Sequence, residues 1–101
     1  DTVNAYFGAS LFIITGVPGL YNRVKQHIHH SWLDIEPMLH MGLSSGESIL
    51  VALAGNFYNG GFFGDYTPSD IIGYCDAGMV DLAARAMRLR KQTINVNTIF
   101  D

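Results

Sequence analysis

Three helix-start signals stand close together between residues 44 and 76 and constrain the fold more than any other feature. Ser44-Ser45-Gly46-Glu47 has the Ser-x-x-Glu spacing of a capping box, in which two side chains satisfy orphan amides of the first turn. Thr67-Pro68-Ser69-Asp70 repeats that logic with Thr as cap, Pro at the first position and Asp in the first turn. Asp76 is placed to cap a third helix. The segments behind these caps carry helix-period apolar residues. Ile49, Leu50, Leu53 and Phe57 make one stripe, and Met79, Leu82, Ala83, Ala86 and Leu89 make another.

The remaining elements follow the same pattern. Residues 2–15 read as a helix that is apolar on most sides and so central, through Phe7, Leu11 and Ile14 on one side and Ala5, Ala9, Phe12 and Ile13 on another. Gly16-Val17-Pro18-Gly19 breaks it, with Pro18 in the first turn of a second helix over about 18–29 that offers Leu20, Val24 and Ile28. Trp32 to Met41 is less regular, because Pro37 disfavours helix at Glu36, and it predicts an irregular or short helical connection. Ser48, Ala52 and Gly55 form a small-residue stripe that would admit a close neighbouring helix. Asn59-Gly60-Gly61 ends that element, since Asn and Gly accept the left-handed conformation that follows helices. The last helix covers about 77–91, with Asp81, Arg85, Arg88 and Gln92 on its wet side. From Thr93 to Phe100 polar residues partly alternate with β-branched or aromatic ones, which predicts an extended tail. The expectation is an all-α compact bundle of about five helices, with one helical domain at 1–92 and an extended tail at 93–101.

Composition excludes several classes. Of 101 residues, 49% are hydrophobic and only 15% are charged, which rules out intrinsic disorder. The net charge of −3 hides an asymmetry: no Lys or Arg lies between Gln26 and Ala84, where Asp34, Glu36, Glu47, Asp65, Asp70, Asp76 and Asp81 all fall. Arg85, Arg88, Arg90 and Lys91 follow at once. Such a cluster suits nucleic-acid phosphates or, more simply, the last turns of a helix whose dipole favours cations. The most apolar stretch, Leu11-Phe12-Ile13-Ile14, is far short of the roughly 20 residues that span a bilayer. No basic start precedes a long apolar run, and Cys75 is the single cysteine, so the chain reads as a soluble cytoplasmic protein with no membrane partner.

Candidate chemistry is sparse. His27, His29 and His30 lie within four residues, with Asp34, Glu36 and His40 beyond. His27 and His30 would share a helical face as metal ligands, but no His-Glu-x-x-His pattern supports them. Cys75 beside Tyr74 reads as a buried small hydrophobe rather than a nucleophile. The stretch Asn59-Gly60-Gly61-Phe62-Phe63-Gly64-Asp65-Tyr66 lacks the Gly-Lys-Ser/Thr of a nucleotide loop. Its aromatics, with Tyr58 before it, are either a lid on the core or anchors for a partner: Tyr58, Phe62, Phe63 and Tyr66 are the candidate protein interface. These residues predict a non-enzymatic chain without cofactors that binds a protein or itself. The alternative is nucleic-acid binding through Arg85, Arg88, Arg90 and Lys91.

Leu50 through Gly60 followed by Tyr66-Thr67-Pro68-Ser69-Asp70-Ile71-Ile72 resembles a family of small uncharacterised proteins from Gram-positive bacteria and their phages. Leu11–Gly16, Leu20–Val24 and Ala84–Arg90 look similar to that family too, so the resemblance covers most of the chain. That family tends to place Trp-Gln-Thr-Ser before the third helix, where this chain has Met41-Gly42-Leu43-Ser44-Ser45. The resemblance implies a small accessory protein of prophage origin.

Overall fold

A computed structural model describes the backbone of residues 2–30 and 32–100, and the side chains of residues 6–30 and 32–91. The described residues form six α-helices: α1 (Thr2–Gly16), α2 (Leu20–Val24), α3 (Ile35–Leu39), α4 (Ser45–Asn59), α5 (Pro68–Tyr74) and α6 (Ala77–Phe100). A 3-10 turn at Lys25–His27 follows α2. Among the described residues the one extended feature outside the helices is a single antiparallel bridge between Ile28 and Leu33. The all-α expectation holds.

The start signals act as their chemistry demands. The Ser44 hydroxyl accepts from Glu47 N at 3.1 Å while Glu47 Oε1 accepts from Ser44 N at 2.9 Å, closing the capping box of α4. Thr67 and Asp70 make the equivalent box on α5 with Pro68 in its first turn. Asp76 Oδ1 accepts from Met79 N at 2.8 Å and caps α6. Each such cap is worth about 1 kcal/mol.

The central helix is α1, which packs against both α4 and α6. Ala9, Ile13 and Ile14 are buried, and Leu50, Val51 and Ala54 of α4 with Leu82, Ala83 and Ala86 of α6 complete the same core. Ser10 is fully buried among them. Its Oγ stands 2.6 Å from Ala54 O and 3.1 Å from Tyr6 O, so one proton serves two carbonyls and pins α1 to α4. At the other end of α1 a Cβ on Gly16 would lie 2.5 Å from Leu82 Cδ1, so the absent side chain is what lets α6 approach.

Three expectations change in detail. Pro18 and Gly19 are the middle of a tight turn closed by Leu20 N to Val17 O at 3.1 Å, with Gly19 at φ 78°, rather than the first turn of α2. Pro favours the second position of such a type II turn, and Gly the third. The helix expected over 18–29 is shorter, because the chain passes through the 3-10 turn into the Ile28–Leu33 bridge. Around Pro37 the short helical connection that the sequence allows is α3. Proline stands in its first turn, where its missing N–H has no intrahelical partner to lose. The backbone of α6 is continuous through Phe100, whereas the sequence reading ended it near 91 and placed an extended tail at 93–101. Extending an existing helix needs no new nucleation, and the β preference of Thr, Ile and Val is weak against it. Side chains from Gln92 onward lie outside the described residues. No described helix is long and apolar enough to cross a membrane.

Candidate functional site

The outer side of α4 forms the floor of an open groove of about 250 Å³. Ile49, Ala52, Leu53 and Asn56 make that floor; the Gly61–Pro68 loop and Ile71 of α5 make one wall, and Met87 of α6 the other. Leu53 and Asn56 are half-buried and Met87 is exposed, so the groove is an accessible apolar surface.

Hydrogen bonds anchor the loop where it leaves α4. Gly60 adopts φ 77° and donates its N–H to Asn56 O at 2.7 Å, ending α4 in the left-handed conformation that glycine tolerates. Asn56 Nδ2 then donates to Gly61 O at 3.0 Å, and Asn59 Oδ1 accepts from Gly61 N at 2.8 Å. These bonds turn the chain back over α4 and set the two phenylalanines on opposite sides. Phe63 points in: a Cβ on Gly55 would lie 2.7 Å from its ring and 2.9 Å from Ile35 Cγ1. At Gly55 the small stripe of α4 therefore admits α3, a close neighbouring helix as expected, and a loop ring beside it. Phe62 points out and is 94% exposed.

The four candidate interface aromatics thus part company. Phe62, Phe63 and Tyr66 line the groove, and Tyr66 is 44% exposed. Tyr58 lies elsewhere, edge-on to Phe7 of α1 with ring centroids 6.1 Å apart. Sequence reasoning missed Ile71 and Met87 as groove residues, and missed Ile72 and Tyr74 of α5 as exposed apolar side chains. The only available signal was that Ile71-Ile72-Gly73-Tyr74 is more apolar than one buried face of a seven-residue helix requires.

The basic cluster is divided as well. Arg90 lies over the Tyr6 ring at 4.4 Å and the Phe57 ring at 5.8 Å, with its Nε buried and lacking a hydrogen-bond partner. Arg85 stands 5.6 Å over the Phe12 ring and 4.0 Å from Asp81 across an exposed turn. Arg85, Arg88 and Lys91 are all exposed. Arg90 alone of the four is therefore drawn onto aromatic rings as a half-buried side chain.

The histidines do not converge. With α2 ending at Val24, the helical face that His27 and His30 would share is replaced by the bridge turn, in which His29 stacks on Trp32 at 4.1 Å between centroids. His40 reaches Glu36 instead, at 3.8 Å. No group of three or more His, Cys, Asp or Glu among the described residues is placed to hold a metal ion. Cys75 is buried, with its Sγ 3.8 Å from Gly46 O. Burial, aided by the neighbouring Asp76 carboxylate, raises the thiol pKa above its ordinary value, the opposite of what a nucleophile needs. With the geometry in place, no family model, curated protein or solved structure matches this chain.

Proposed function

We propose that this chain is a non-enzymatic, cytoplasmic accessory protein that works by binding another protein chain through the groove beside Phe62. One observation carries the reading: a phenylalanine that is 94% exposed stands on the rim of an apolar groove, on a loop held by its own hydrogen bonds. Leaving a phenyl ring in water forgoes about 1.5–3 kcal/mol of burial, and contact with a partner recovers it. The groove's size supports a side-chain ligand. At about 250 Å³ it falls below the roughly 300–1,000 Å³ of pockets that enclose whole small molecules. The resemblance to small proteins of Gram-positive bacteria and their phages adds a prophage origin to the proposal.

The test is a photo-crosslink from the groove in the native host. A benzophenone side chain replacing Phe62 is expected to give a discrete adduct, while the same group at exposed Thr15 on α1 gives none. Equal adducts at both positions, or none at 62, overturn the reading.

A further inference from the structure

We infer that the groove's occupant is a second copy of this chain, paired about a two-fold axis so that Phe62 of each copy enters the groove of the other. The inference rests on the protein-binding reading above and names its partner. Isologous pairing requires one patch to carry both halves of every contact, and this face does. The projecting group is Phe62, and the recess lies directly beside it, floored by Ile49, Ala52 and Leu53.

Charge placement follows the same rule. Asp65 is exposed on the loop wall, between the groove residues Gly64 and Tyr66. Arg88 and Lys91 are exposed on the α6 wall, next to Met87 and one turn beyond it. A second, smaller recess of about 200 Å³ also runs from Met87 to Lys91, so the cationic wall continues the groove. A two-fold axis running along the groove sets the loop wall of one copy over the α6 wall of the other. Each Asp65 then faces the partner copy's cations. Parallel stacking would instead set acid on acid and base on base, which is costly. An unrelated partner needs to match only one of these features, whereas a second copy matches the knob, the recess and both charge signs together.

Sedimentation equilibrium of the full chain is expected to give a dimer in the micromolar range. Phe62→Ala should weaken association at least tenfold with an unchanged helical circular dichroism spectrum, because the ring touches little of its own fold. The decisive arm uses two charge variants. Asp65→Lys alone sets cation against cation in its own dimer, and Arg88→Glu with Lys91→Glu sets acid against acid. Mixed, the two variants restore attraction at both symmetry-related contacts, so native mass spectrometry should show mostly the heterodimer. A strict monomer at about 200 µM overturns the inference, as does a dimer indifferent to Phe62→Ala or a mixture at the statistical ratio. A crosslink from position 62 to a different protein, with a monomeric chain, would overturn the second copy while retaining the protein-binding reading.

Discussion

The two sides of α4 have opposite characters. Toward α1 the helix presents Leu50, Val51 and Ala54, all fully buried, and a buried hydroxyl ties the pair together at 2.6 Å. Toward the loop it presents Ile49, Ala52, Leu53 and Asn56 as the floor of an open groove. The apolar composition of the two sides is alike, so hydrophobicity does not separate them. What separates them is the covering element. A fifteen-residue helix can seal a neighbour along several turns, while a glycine-rich loop contributes one inward ring, Phe63, and leaves the next one outside. The sealed side makes the fold, and the half-covered side is where an added surface gains most.

The largest expected effect contrasts the two sides directly. Leu50→Ala, on the sealed side, should lower the free energy of unfolding in urea by about 2–5 kcal/mol through lost transfer energy and a cavity. Phe62→Ala, on the open side, should change it by no more than about 0.5 kcal/mol in the isolated chain. Equal losses would mean that Phe62 is a core residue and the comparison is mistaken.

Gly55→Ala is expected to cost about 1–3 kcal/mol, because its new methyl would collide with the Phe63 ring and with Ile35. Combining it with Phe63→Ala should give less than the sum of the single losses, since the first change already displaces the ring that the second removes. Strict additivity would show that the ring does not rest on Gly55. Ser10→Ala should then cost about 1 kcal/mol, the net worth of the shared hydrogen bond across α1 and α4. A neutral result would leave that interface held by packing alone.

The legible parts of this fold were local. The caps at Ser44, Thr67 and Asp76 each depend on residues three positions apart, and all three form as their spacing requires. The stop at Gly60 is equally local. What was not legible depends on distant partners. Whether Phe62 or Phe63 faces the core is decided by Gly55 and Ile35, which are remote in sequence from one or both rings, and adjacent identical side chains carry no signal of their own. Tyr58 belongs to the Phe7 contact for the same reason. The place of Arg90 depends on distant partners too, because the rings of Tyr6 and Phe57 that lie beneath it are remote in sequence. The second helix failed for a local reason instead, since Lys25–His27 tightens into a 3-10 turn and the backbone then pairs across to Leu33 and Asp34.

The smallest effect concerns Cys75, buried where α5 meets α6 with its Sγ directed at Gly46 O of α4. Burial first and Asp76 second raise its pKa in the folded chain. In the unfolded chain the thiol ionises near its ordinary value of about 8.5. Above that pH the unfolded state therefore sheds a proton that the folded state keeps, so stability falls as pH rises. The contribution is fully present below about pH 8.5 and is lost as pH climbs through the raised folded value. Cys75→Ala removes the titrating group, and the lysines and tyrosines common to both chains cancel in the difference. Urea unfolding between pH 7 and 10 should accordingly show a steeper alkaline decline in the parent chain than in the variant. The same protection predicts slow alkylation of Cys75 at pH 7 in the folded chain and fast alkylation once urea exposes it. Parallel pH curves, together with fast labelling of the folded protein, would place the thiol on an open surface and move the boundary between the sealed and open sides of the molecule.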